Sequence, residues 1–142
     1  MVKLIVGEKG TGKTKRLVDD LNEMAQENEN NVICIQKGDR LNSYVDYNIR
    51  MIDIEEYPVE TFSELLAFIA GINAKDYDVS HVYVDSITKV VKDAHSANSH
   101  EEFAQFLAAL EGFAEMHHFE VTIMYSFPLE EIGEDLQHYL VK

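Results

Sequence analysis

Gly7-Glu8-Lys9-Gly10-Thr11-Gly12-Lys13-Thr14 is the stretch on which the reading of this chain turns. It matches the pattern G-x-x-x-x-G-K-[ST] at every fixed position. Leu4 to Val6, just before it, is a short apolar run that reads as a buried strand closed by Gly7. Leu17, Val18, Leu21 and Met24, just after it, recur at helical spacing and predict a helix from about Lys13 to Gln26. A glycine-rich turn between strand and helix is built to hold phosphate. Backbone N–H groups must converge on anionic oxygens, which demands glycine where the chain turns tightly. The helix that follows offers its free N–H groups and positive dipole end to the same anion. Lys13 brings a full charge to the β- and γ-phosphates, and the Thr14 hydroxyl suits Mg²⁺. Gly7, Glu8, Lys9, Gly10, Thr11, Gly12, Lys13, Thr14 and Lys15 are therefore the expected phosphate-binding segment.

Outward from this loop the chain alternates. Gln26 to Asn31 is a polar connection, and Val32-Ile33-Cys34-Ile35 a second buried strand ended by Gly38. Residues 39–48 carry no pattern. Ile49 to Ile54 reads as a strand at a sheet edge, because Arg50 and Asp53 interrupt it. After Pro58, Thr61 and Glu64 form a capping box for a helix carrying Phe62, Leu65, Leu66 and Ile69, with Gly71 as its expected end. His81 to Asp85 is a strand ending in a carboxylate. Ser99 and Glu102 make a second capping box, ahead of the apolar stripe Phe103, Phe106, Leu107, Leu110 and Phe113. Val121 to Phe127 is a strand stopped by Pro128, and the acidic tail reads as a short helix with Tyr139-Leu140-Val141 as a last strand. This order predicts an α/β fold: a single domain over residues 1–142, with helices on both faces of a mostly parallel sheet in a three-layer sandwich.

The partner of a phosphate loop is a carboxylate at the end of another strand, which holds the metal. Val82-Tyr83-Val84-Asp85 has that form. Together the two motifs resemble the Walker A and Walker B segments of P-loop NTPases. Val84-Asp85-Ser86-Ile87-Thr88 is similar to Walker B of the RecA-like group, where a serine often follows the aspartate. That resemblance implies a P-loop NTPase fold whose fourth strand lies between the P-loop strand and the Walker B strand. It also implies a polar residue near the γ-phosphate at the end of the strand after Walker B, a place that Ser126 matches. At the level of sequence the resemblance covers residues 7–14 and 82–88. As a whole the chain is similar to short stand-alone ATP-binding proteins of Gram-positive bacteria. Other P-loop branches fit less well. Glu8 stands where one of them has a second lysine, the cysteine zinc site of type II thymidine kinases is absent, and Arg16, Arg40 and Arg50 leave the second half without arginines for an adenylate-kinase-like lid.

Hydrolysis needs a group that orients water and a charge that neutralises the transition state. In RecA-like enzymes a glutamate just after the second strand does the first. Here that region is Ile35-Gln36-Lys37-Gly38-Asp39, so Gln36 is the candidate, with Asp39, Glu55 and Glu56 as alternatives. The expected catalytic set is Lys13, Asp85, Gln36 and Ser126, with Thr14 and Asp85 on the metal. Arg40 or Arg50 would supply the charge, although surface ion pairs are the simpler reading of both. The expectation is a weak or partner-activated ATPase. The alternatives are a non-hydrolysing nucleotide switch that acts on a protein partner and, behind it, a phosphotransferase. ATP is preferred because no guanine-specific N-K-x-D segment is present.

Composition narrows the partners. The 142 residues hold 26 Asp and Glu against 12 Lys and Arg, a net charge of −14. Such a surface repels nucleic-acid backbones and anionic lipids, so the expected partners are a nucleoside triphosphate and a protein or a second copy. With one cysteine, Cys34, neither an intrachain disulfide nor a four-cysteine zinc site is possible. The first apolar run is too short for a signal peptide and no stretch spans a bilayer, which points to the cytoplasm. The adjacent His117 and His118 would diverge by about 100° on a helix and do not read as a metal pair.

Overall fold

The computed structural model describes residues 1–27, 29–92 and 99–141. It is an α/β fold with five parallel strands: β1 (Val2–Gly7), β2 (Val32–Gln36), β3 (Arg50–Asp53), β4 (His81–Asp85) and β5 (Glu120–Ser126). The helices are α1 (Lys13–Ala25), α2 (Phe62–Lys75), α3 (Ile87–Val90) and α4 (Ser99–His117). The strand order is β1-β5-β4-β2-β3, and every adjacent pair is parallel. β5 thus lies between the strand that feeds the glycine-rich loop and the strand that ends in Asp85. The expected edge strand, β3, is indeed outermost.

The pleat divides the apolar residues between two layers. Leu4, Ile33, Ile35, Val82, Val84, Val121 and Ile123 join Leu65 and Ile69 of α2 and Phe103, Leu107 and Leu110 of α4 in one core. Ile5, Cys34, Tyr83 and Met124 point the other way and meet Leu17 and Leu21 of α1. Both faces of the central strands are covered, which is why these strands read as continuous apolar runs. Each large aliphatic or aromatic side chain taken fully out of water contributes roughly 1.5–3 kcal/mol.

The segment 39–48, patternless in sequence, belongs to the second core. Leu41 and Ile49 are buried against α1. The Asn22 amide of α1 donates to the Tyr44 carbonyl at 3.0 Å, and its oxygen accepts from the Asp46 N–H at 2.7 Å. The capping box at Thr61 forms as expected: Glu64 N–H donates to Thr61 Oγ1 at 3.1 Å, and Thr61 N–H donates to Glu64 Oε1 at 3.0 Å.

Two expectations change. Gly71 does not end α2, which runs to Lys75 because Asn73 beyond it is buried and Ile72 packs on the core. The tail forms the short helix expected of it, as 3-10 turns at Leu129–Glu131 and Glu134–Tyr139. Its last strand shrinks to a single bridge between Leu140 and Leu4, since Leu136 and Tyr139 are drawn into the core just before it. The Ser99 side chain lies outside the described residues, and with it the second capping box.

Candidate functional site

The glycine-rich loop, Gln36, Asp85 and Ser126 gather at the carboxyl ends of the strands, where open parallel sheets bind ligands, whereas Arg50 opens β3 at its amino end, across from Ile33. Gly7 stands across from Ser126, and Gln36 stands between Asp85 and Asp53. Beyond Gly7 the loop turns through Gly10 at φ 87° and Gly12 at φ 82°, left-handed values that favour glycine. The Thr11 hydroxyl donates to the Glu8 carbonyl at 2.7 Å and closes the turn. A Cβ on Gly7 would lie 2.5 Å from Thr11 Oγ1, so only glycine permits that approach.

Helix α1 starts from Gly12 with no side-chain cap and no acidic residue in its first turn. Its leading N–H groups and positive end therefore come without a built-in anion. Thr14 is half-buried in this turn. Lys13 is also half-buried, and its Nζ donates to the Glu8 carbonyl at 3.3 Å. Burial pulls its ammonium below the usual lysine range; Asp85 works against that, while Lys89, Arg40 and Lys9 add to it. The Lys15 side chain lies along the helix against Asp19, at 2.8 Å.

Asp85 is only 4% exposed. Burial pushes its carboxyl up, and Arg40, Lys89 and Lys13 pull it back toward ionisation. Arg40 Nη2 stands 3.4 Å from Asp85 Oδ2. The Asp85–Ser86 peptide is cis, and Ser86 and Thr88 share a hydroxyl contact of 3.2 Å.

Two clefts flank the loop. One, of about 430 Å³, runs along Gly7, Glu8, Lys9, Thr11 and Lys13. The other, of about 470 Å³, opens beside Thr14 and Lys15 and is lined by Val18, Leu41, Tyr44 and Arg40.

The remaining candidates differ in standing. Ser126 is half-buried beside Gly7, and the next residue, Phe127, donates its N–H to the Gly7 carbonyl at 3.2 Å. Gln36 is buried and holds the following loop: its Nε2 donates to Asn42 Oδ1 at 2.8 Å and its Oε1 accepts from Leu41 N–H at 3.2 Å. Asp39 is exposed, as are Glu55 and Glu56 in the turn after the edge strand. Arg40 departs from its sequence reading, since it pairs with a buried carboxylate at the site instead of a surface one. Lys89 was missed altogether. It stands four residues after Asp85, on a helix that Ile87 and Val90 anchor in the core and that is too short to leave a periodic signal.

No protein-family model matches this chain, and no curated protein matches it either.

Proposed function

We propose that this protein is a RecA-like P-loop nucleotide-binding protein of the cytoplasm that takes Mg-ATP and hydrolyses it slowly, or only when a partner or a second copy assists. The observation that carries this reading is one constellation. A glycine loop and an uncapped helix end, ringed by Lys13, Lys9, Arg40 and Lys89, lie at the same carboxyl end of the sheet as the buried carboxylate of Asp85. The position of β5 between β1 and β4 supports the P-loop NTPase fold within the broader α/β class.

A metal fits the donor set. Asp85 and the Thr14 hydroxyl are hard oxygen donors of the kind Mg²⁺ takes, and Mg²⁺ normally completes its shell with phosphate oxygens and water. Among the described residues no group of three or more His, Cys, Asp or Glu forms a metal site by itself, so the nucleotide's own oxygens would be needed. When bound, the metal would neutralise charge on the β- and γ-phosphates. In this reading the loop amides and Lys13 bind the phosphates, Ser126 contacts the γ-phosphate, and Asp85 and Thr14 hold the metal. The apolar cleft beside Thr14 receives the base, against Tyr44 and Val18.

The committed amide of Gln36 favours slow chemistry, because a side chain that pins a loop is poorly placed to swing onto a water. The same observation supports the second reading, a nucleotide switch that signals to a protein partner.

The deciding experiment is ADP formation from Mg-ATP by the purified protein, from sub-stoichiometric to excess nucleotide, with Lys13→Ala beside it. Turnover lost in the variant supports the ATPase. ATP recovered intact, and bound by wild type alone, supports the switch. Equal behaviour of the two proteins sinks the site.

A further inference from the structure

Asp85 needs a cation. A carboxylate this deeply buried stays ionised only when paired, and breaking such a pair is costly. Among the described residues Arg40 is the one side chain within ion-pair distance of it. Lys13 and Lys89 act on it only as more distant charges, and the Lys13 ammonium donates to the Glu8 carbonyl at 3.3 Å.

The pairing is of an exchangeable kind. It is a single contact of 3.4 Å, not the two-pronged grip of which a guanidinium is capable, and the Arg40 side chain is 57% exposed. The backbone on either side is fixed independently. Before it, Gly38 N–H donates to Asp53 Oδ1 at 2.8 Å; after it, Gln36 holds Leu41 N–H and Asn42, Leu41 is buried, and Asn22 ties down Tyr44 and Asp46. Arg40 can therefore leave Asp85 by rotation of its own side chain while its loop stays in place. It also lines the cleft that opens beside Thr14, so a departing guanidinium already borders the space next to the phosphate loop.

Resting on the nucleotide-binding reading above, we propose that Arg40 is the resident counter-ion of Asp85 in the metal-free protein, and that it competes with a divalent cation for that carboxylate. A guanidinium and a metal ion repel each other at one carboxylate, so only one of them pairs closely with Asp85 at a time. With the metal present Arg40 is released from Asp85 to solvent. Without it, Arg40 screens Asp85 from the phosphates, which an unpaired carboxylate would repel.

The test compares ATP affinity in excess Mg²⁺ with that in EDTA, by titration calorimetry on wild type, Arg40→Ala, Arg40→Lys, Asp85→Asn and the double variant Arg40→Ala/Asp85→Asn. Thermal unfolding of each reports that it is folded. The quantity read is the ratio of the two affinities. Arg40→Ala is expected to raise it roughly tenfold, by weakening metal-free binding and removing the metal's competitor. Arg40→Lys, which keeps a charge, should stay near wild type. Arg40→Ala should change nothing once Asp85→Asn is in place, the signature of direct coupling. An unchanged ratio in Arg40→Ala, or an equal change in the Asp85→Asn background, overturns the proposal and leaves nucleotide binding intact. Wild type that binds ATP under neither condition sinks the nucleotide reading, and this proposal with it.

Discussion

The Tyr83 hydroxyl donates a 2.6 Å hydrogen bond to Asp20 Oδ2 and so ties the central strand β4 to helix α1. Tyr83 is almost fully buried, and burial followed by the Asp20 bond holds its phenol protonated far beyond the usual range. It sits two residues before Asp85, while Asp20 sits on the helix that follows the glycine-rich loop. Tyr83→Phe removes the donor, leaves the ring in place and strips Asp20 of this partner. The expected loss is about 1–3 kcal/mol, read as a lower urea midpoint at unchanged slope. An unshifted midpoint would mean that water satisfies Asp20 equally well.

Gly71 lies inside α2 at an ordinary helical φ, with nothing within 4 Å of the position a Cβ would take. Gly71→Ala should therefore stabilise the protein by roughly 0.5–1 kcal/mol, by restricting the unfolded chain. A rise in Tm without any change in ATP binding is the expected outcome. A fall would show that the helix needs the glycine for something other than its backbone.

Cys34 is fully buried in β2, and burial, then Asp85, raises its thiol from an ordinary 9.0 to about 12. Because the folded chain holds this proton more tightly than the unfolded one, its contribution to stability is complete below pH 9.0 and declines as pH rises through about 12. Cys34→Ala should flatten that alkaline decline. At pH 8 the native thiol should resist iodoacetamide, a reagent that attacks thiolate, and become reactive only in denaturant. Rapid labelling of the native protein would contradict the burial.

Tyr44 is 66% exposed at the mouth of the apolar cleft beside Thr14. If the base stacks there, Tyr44→Ala should weaken ATP binding by about 1–3 kcal/mol, on the order of tenfold, and Tyr44→Phe should not. Inorganic tripolyphosphate, which has no base, should bind both variants like wild type. An equal loss for tripolyphosphate would place the effect in the loop fold and not in base contact.

Much of this architecture was legible in the chain. β1, α1, β2, β4 and β5 were readable because each is a buried apolar run or a stripe with a clear local end, glycine or proline for most of them and the carboxylate of Asp85 for β4, and the parallel sheet follows from their alternation. Local signals sometimes misled. Gly71 was read as a stop, but a glycine cannot end a helix whose next residues are held in the core. Tyr139-Leu140-Val141 was read as a strand, but the core captures Tyr139 first.

Sequence alone determined the glycine-rich loop and the strand-end carboxylate, because both depend on short-range demands: glycines at positive φ, a hydroxyl and a lysine at a helix start, an aspartate closing an apolar run. Only the tertiary structure decided what surrounds them. Arg40 comes from a patternless loop 45 positions before Asp85, and Lys89 from a helix too short to leave a period. Gln36 bears the oxygen and nitrogen that would suit a water, yet neighbouring loop groups claim both. Which cation sits on a buried carboxylate is settled by what the fold brings within reach of it, and no spacing along the chain records that.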